Sequence, residues 1–319
     1  MLNCLAGVDE AGLGPILGPL VISGVSMVGP RGIDPWDALK PSVARARPKP
    51  GQLLVADSKK VKAGPNGFAR LERTVLAFWA AWQNQLPTDL HEWLQQLGVD
   101  AEAFGQRPWY ADLSARLPRQ VPTEEVELAG HLLRRHLDAA GIEIRQFAVR
   151  PVEVPEFNRL IDETDNKSTA HFRTYAEVIL RLLEGTPAGT HLVADRCGGR
   201  MRYRRGLLDA GVKPGSIKVQ HEDSERSVYR ILDQGGPLDA TLTFVSQGED
   251  RSFPTALASC AAKYVRELFV EQLNAYFRQQ IPDLAPTAGY YVDGQRFLRE
   301  IDGFVRRHRL PVESLVRSR

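Results

Sequence analysis

The chain opens on two apolar runs, LNCLAGV (2–8) and PLVISGVSMV (19–28), rich in β-branched residues and punctuated by glycine and proline. Such runs predict two early strands. A basic, proline-rich segment, PSVARARPKPG (41–51), reads as loop, and FARLERTVLAFWAAWQ (68–83) places apolar residues at helical spacing. From about 84 to 124 the pattern turns polar and irregular, as in GQRPWYADLSARLPRQ, and reads as an insertion or small lid. A helix at about 123–139 opens on Thr123-x-x-Val126, a capping box that fails at its last position and leaves the helix start open. IEIRQFAVRPVEV (142–154) reads as strand, and AHFRTYAEVILRLLEG (170–185) as a helix closing on a glycine cap.

Further on, THLVADR (190–196) is a short buried strand ending on an acid. SIKVQHE (216–222) and TLTFVSQGED (241–250) read as two more strands, the second again ending on acids. The clearest helix covers 254–280, with Leu257, Ala261, Val265, Leu268, Leu273 and Tyr276 close to one face. Pro254 falls in its first turn, where the missing N–H costs nothing. No repeat of fixed period interrupts the order. Sequential strands followed by strand–helix alternation give the class α/β.

Composition narrows the picture. At 319 residues the chain suffices for one large domain or two modest ones, and 43% hydrophobic with 25% charged residues is ordinary for a soluble globular protein. The absence of an apolar run of about 18 residues argues against a membrane span. No basic segment, apolar core and small-residue cleavage site open the chain, which argues against export. Cys4, Cys197 and Cys260 are widely spaced and form no CxxC pair, which fits free thiols in a cytoplasmic protein rather than a disulfide framework or zinc site. The net charge of +2 says little, but RARPK (45–49), RMRYRR (200–205) and RRHR (306–309) are basic clusters. One such cluster is usually a solvated face; three raise the prospect of a polyanionic partner.

The acids pose the sharper question. Asp9-Glu10, Asp195 and Glu249-Asp250 each close a strand pattern, and strand ends are where open α/β sheets assemble sites. A strand-end acid is commonly only a cap or turn residue. Several brought together, however, repel and raise one another's pKa unless cations compensate. Magnesium takes hard oxygen ligands and needs few protein carboxylates, and a pair of such ions suits phosphoryl displacement.

The motif GVDEAGLGPILGPLVIS is similar to the N-terminal motif of the type 2 ribonucleases H, the ribonuclease HII and HIII family. The resemblance continues in the family's order through ADSKKV (56–61), FNRLIDETDNKS (157–168), HLVAD (191–195), FVSQGEDRSFPTALASCAAKY (244–264) and GYYVDGQRFL (289–298). It implies a ribonuclease H-like mixed sheet flanked by helices, over residues 1–275 with the insertion at about 84–124, and a C-terminal helical extension over 276–319 packing on the core. The implied activity is endonucleolytic hydrolysis of the RNA strand of RNA–DNA hybrids by a monomer using Mg²⁺ or Mn²⁺, leaving 3′-hydroxyl and 5′-phosphate ends. Carried over residue by residue, the metal-binding and catalytic acids are Asp9, Glu10, Asp195 and Glu249, with Asp250 as the reserve for the fourth. Gly12, Leu13, Gly14, Lys59 and Tyr290 would meet substrate.

The chain also departs from the family. Leu13 stands where ribonuclease HII has the arginine of its G-R-G loop, removing a phosphate-binding guanidinium while leaving the backbone amides. The family's G-Y-G-T element survives only as Gly289-Tyr290-Tyr291, and RCGGRMRYRRGLL lengthens the stretch between Asp195 and Glu249. Two other functions therefore stay open: a nucleic-acid-binding protein that has lost turnover, and a nuclease of the same superfamily with another substrate. GLGPILG (12–18) also fits a dinucleotide glycine pattern, but Pro15 and Pro19 would disrupt the helix that must face a pyrophosphate. The seven histidines form no HExxH or triad pattern, and His131 and His136 read as surface residues.

Overall fold

The computed structural model describes residues 2–232 and 239–318. Seven strands form one sheet: β1 (Leu2–Ala11), β2 (Leu20–Pro30), β3 (Glu143–Val152), β4 (Thr190–Asp195), β5 (Ile217–Glu222), β6 (Arg226–Leu232) and β7 (Asp239–Val245). Their spatial order is β3-β2-β1-β4-β7-β6-β5. β1 pairs antiparallel with β2, and β2 with β3; β1, β4 and β7 run parallel; β7, β6 and β5 are again antiparallel. The mixed sheet flanked by helices is the expected α/β architecture. The sequence pattern did not disclose β6, nor the two-residue strands Val43–Ala44 and Leu53–Leu54 that pair in a separate parallel sheet, the first of them inside the segment 41–51 read as loop.

The period of two along a strand sends alternate side chains to opposite faces. In β2, Val21, Val25 and Met27 enter one apolar layer, while Leu20 and Ile22 enter the other. The first layer is built by α1 (Gly67–Gln83), α2 (Thr123–Ala140), α5 (Phe253–Gln280) and α6 (Tyr291–Arg307), the second by α3 (Val154–Thr164) and α4 (Lys167–Leu183).

Residues 84–124 are helical in part, at Leu90–Gln96 and Ala101–Gly105. They deliver Trp93, Leu94, Phe104, Trp109 and Tyr110 into the first layer, so this segment is a wall of the core. A boundary at 275/276 falls inside α5, which continues unbroken to Gln280, and Phe297, Ile301 and Val305 of α6 share its apolar layer. All three cysteines are buried free thiols. Among the described residues no helix is long and apolar enough to cross a membrane.

The contact that matters most for the site lies where α5 begins. A Cβ on Gly7 would sit 2.1 Å from the Thr255 nitrogen, so only glycine lets the first turn of α5 rest on β1. The Thr255 hydroxyl donates to Val193 O of β4 at 2.8 Å. From the opposite face, the Tyr175 hydroxyl of α4 donates to Val8 O at 2.7 Å, and Asp195 O lies 3.4 Å away. The two central parallel strands are thus clamped from both sides just before their acids.

Candidate functional site

Val8 stands beside Ala194 in the β1–β4 register, which puts Asp9 and Asp195 one step further along neighbouring strands. Adjacent strands lie about 4.8 Å apart. β1 continues one residue past Glu10, to Ala11. Consecutive residues face opposite ways, and that resolves the doublet: Asp9 turns toward Ser259 of α5, Glu10 toward His171 of α4.

The third strand brings the last acid. After β7 the chain turns through Gln247, in the left-handed region at φ 57°, into a short 3-10 turn over Gly248–Asp250. The Gly248 amide donates to Asp195 Oδ1 at 3.0 Å. A Cβ on Gly248 would lie 3.3 Å from the Asp195 Cα, so glycine lets this turn close over the end of β4. Glu249 and Asp250 then diverge. Asp250 pairs with Lys60 at 2.8 Å, and its carbonyl accepts from Arg45. Glu249 keeps a buried Oε2 with no hydrogen-bond partner.

Electrostatics ties the four acids together. Burial pushes the Asp9 carboxyl well above the usual range, and the charges of Glu10 and Asp195 push it further. Glu10 rises to about 8, from burial first and then from Asp195 and Glu249, with the Lys59 ammonium opposing. Asp195 and Glu249 are also raised, chiefly by burial. Each therefore resists holding its negative charge in this setting.

Whether these residues suit a divalent cation can be read from their chemistry. The donors are hard oxygens, their mutual repulsion calls for positive charge, and Glu10 Oε2 and Glu249 Oε2 are buried without partners. Among the described residues no group of three or more His, Cys, Asp or Glu side chains is arranged to hold an ion as it stands. The donor set fits the metal in kind and charge.

The remaining candidates surround this centre. Gly12, at φ 96°, has no room for a side chain, since a Cβ would meet Arg266 Nε at 2.4 Å; Gly14 meets nothing within 4 Å and faces open space. The two glycines thus differ in kind, one fixing the loop and the other leaving it approachable. Leu13 rests partly buried on the second apolar layer. Lys59 lies exposed on the turn Ser58–Val61, whose first residues are capped by Asp57. Tyr290 is exposed at the start of α6, and the preceding Gly289 O accepts from Ile16 N at 2.7 Å, which sets the tyrosine beside the glycine loop.

The basic clusters prove mixed. Arg200 donates to Ser168 and lies over the Phe172 ring, Tyr203 stacks in the core on Phe244, and Arg205 pairs with Asp209. Arg202 and Arg204 are exposed. Reading from sequence missed His171, whose buried Nε2 faces Glu10, and the buried Arg266 and Arg317 beneath the glycine loop.

No protein-family model matches the chain, and no curated protein matches it. Solved structures do. The chain is similar to ribonuclease HII of Archaeoglobus fulgidus, solved in complex with PCNA, at 17% identity over 99% of this chain and 94% of that one, with TM-score 0.43. It is likewise similar to ribonuclease H2 of Pyrococcus horikoshii OT3, at 15% identity over 98% of this chain and 92% of that one, TM-score 0.42. A third is Bst-RNase HIII in complex with Mn²⁺, at 15% identity over 98% of this chain and 66% of that one, TM-score 0.42.

Proposed function

We propose that the protein is an endonuclease that hydrolyses the RNA strand of RNA–DNA hybrids, with Asp9, Glu10, Asp195 and Glu249 holding Mg²⁺ or Mn²⁺. The observation that carries this reading is the gathering of four charge-frustrated carboxylates, three near the ends of the adjacent parallel strands β1 and β4 and Glu249 on the turn after the neighbouring β7; Glu10 and Glu249 each keep an orphaned buried oxygen. The motif resemblance supports the same reading. When bound, the ions would supply Lewis acidity and an activated water for phosphodiester hydrolysis. The chain's own residues do the rest. Gly248 N–H fixes the Asp195 carboxylate, Lys60 draws Asp250 aside, and Lys59 offers an exposed cation to phosphate. Gly14 leaves space for a sugar–phosphate backbone, and Tyr290 presents an exposed ring beside it for sugar or base.

The experiment is incubation with end-labelled RNA–DNA hybrid, single-ribonucleotide duplex and all-DNA duplex, each with Mg²⁺, Mn²⁺ or chelator. Metal-dependent cutting of the hybrid, with 3′-hydroxyl and 5′-phosphate ends, is the expected result; cutting of all-DNA duplex alone would refute the reading. A second reading, a nucleic-acid-binding protein without turnover, draws on the donors not being arranged for an ion as they stand. Tight hybrid binding without cleavage under both metals would favour it.

A further inference from the structure

Two arginines lie beneath the loop formed by residues 12–18. Arg266 is 1% exposed and Arg317 3%. The Arg266 guanidinium donates to Leu17 O and Ala288 O, each at 3.2 Å. Arg317 grips the loop more fully: Nε and Nη2 donate to Gly18 O at 3.1 and 2.8 Å, and Nη1 donates to Gly12 O. Its backbone joins in, with Arg317 N donating to Ile16 O at 2.9 Å and Val316 bridging Leu17. Asn158 of α3 anchors the strap from behind, donating to Val316 O at 2.9 Å and accepting from Ser318 N at 2.7 Å.

Buried guanidinium groups ordinarily face carboxylates, because desolvating a lone charge is costly. Among the described residues Arg317 makes no ion pair, and Arg266 reaches only Glu267, at 4.0 Å, which Lys62 and Lys263 hold at 2.5 and 2.7 Å. The compensation for Arg317 is the carbonyls of the loop itself. That loop contains Gly12 and Gly18 at φ 96° and 76°, residues with much backbone freedom to lose on ordering. A cation that spans both ends of such a loop fixes its shape before any ligand arrives, and preorganisation lowers the cost of binding. The two charges beneath also give the loop a positive field, which Leu13 does not supply.

We propose that Arg317 is a positioning residue that holds the 12–18 loop in the shape that receives the nucleic-acid backbone, an inference that rests on the hybrid-nuclease reading. The test compares wild type, Arg317→Met and Arg317→Lys. Methionine keeps an apolar stem and removes every side-chain donor, whereas lysine keeps charge and loses the planar fork. Amide hydrogen exchange should accelerate about tenfold or more at Gly12, Gly14 and Gly18 in Arg317→Met, with Val21 to Val25 unchanged. KM for the hybrid should rise roughly five- to tenfold with kcat within about twofold, and Arg317→Lys should fall between. If Arg317→Met fails to fold, Arg317→Lys carries the test, with faster loop exchange and raised KM expected together. Unchanged loop exchange, or faster exchange with unchanged KM, overturns the proposal while leaving the nuclease reading intact. A wild type that neither binds nor cuts hybrid overturns the nuclease reading and this inference with it.

Discussion

His171 Nε2 stands 4.0 Å from Glu10 Oε2, and neither buried atom has a hydrogen-bond partner. Burial pushes the His171 pKa down to about 3, with Arg200 and Arg317 adding to the effect, so the ring is neutral at pH 7 and this is not an ion pair. A separation of 4.0 Å is too long for a direct hydrogen bond, and both atoms remain able to share a ligand. His171→Leu should therefore weaken Mn²⁺ affinity by about tenfold, the scale of losses when groups that orient metal ligands are removed. Isothermal titration of the two proteins with Mn²⁺ measures it. Equal affinities would leave His171 a packing residue.

Asp195→Asn should abolish cleavage and leave hybrid binding intact or slightly tighter. Asparagine retains the oxygen that accepts from Gly248 N–H, so the turn should stay closed, while one negative charge leaves a site that meets phosphate. The expected loss of turnover is roughly 100-fold or more. Undiminished turnover would remove Asp195 from the mechanism.

The fourth acid allows a paired comparison. Glu249→Gln should reduce turnover as Asp195→Asn does, because the orphaned Glu249 Oε2 is available to an ion. Asp250→Asn should leave turnover within about threefold, since it breaks a largely exposed pair with Lys60, worth about 1 kcal/mol or less. The reverse ranking in kcat would exchange the roles of the two residues.

The two early β-branched runs and the closing of β4 on Asp195 were legible from residue type, whereas Glu249 and Asp250, read as closing a strand, lie on a 3-10 turn after β7 has ended at Val245. What escaped depended on burial. RSVYRIL of β6 begins with polar residues directly after an acidic turn, and only its pairing with β5 and β7 makes it a strand. Leu90, Trp93, Leu94 and Leu97 do fall at helical spacing, but this stripe spans only about two turns between polar stretches, so residues 84–124 as a whole read as irregular although they face the core. Arg266 and Arg317 carry the residue type expected at a surface, and nothing in one sequence reveals that loop carbonyls solvate them. Gly12 and Gly14 look equivalent as letters; the left-handed φ of Gly12 and the Arg266 side chain and Pro19 carbonyl packed against it separate them.

Stability should respond to pH and metal together. The carboxyls of Asp9, Glu10, Asp195 and Glu249 are all raised on folding, so in the intermediate range the folded state holds protons that the unfolded chain has released. Their stabilising neutral form is fully present below the ordinary carboxylate range and is lost as pH rises, for Glu10 between 4.5 and about 8. Chelator-treated protein should thus lose thermal stability across that window. Saturating Mg²⁺ should offset the loss most at the upper end, since cations favour the ionised acids. Differential scanning calorimetry with and without Mg²⁺ checks this, and a chelated protein whose Tm is flat or rises across the window would contradict it.

Leu13 bears on substrate choice. If a loop arginine is what reads a ribonucleotide junction, a protein with leucine there should prefer stretches of several ribonucleotides over a single embedded one. A charge-assisted hydrogen bond is worth roughly 1.5–3 kcal/mol, or about 10- to 150-fold in rate if realised in the transition state. Leu13→Arg should then raise kcat/KM for the single-ribonucleotide duplex more than for the long hybrid. Leu13 rests partly buried on the second apolar layer, so the substitution should also lower stability, by about 1 kcal/mol for the lost burial, unless the arginine stem keeps the contact. Measuring the ratio of kcat/KM for the two substrates at one salt concentration separates recognition from that stability effect, because loss of folded protein scales both rates alike. A wild type that already cuts the single-ribonucleotide duplex as well as the hybrid would sink the idea. Recognition would then have to come from the backbone around Gly12 and Gly14, where Gly14 leaves the approach open, or from the exposed Tyr290 ring.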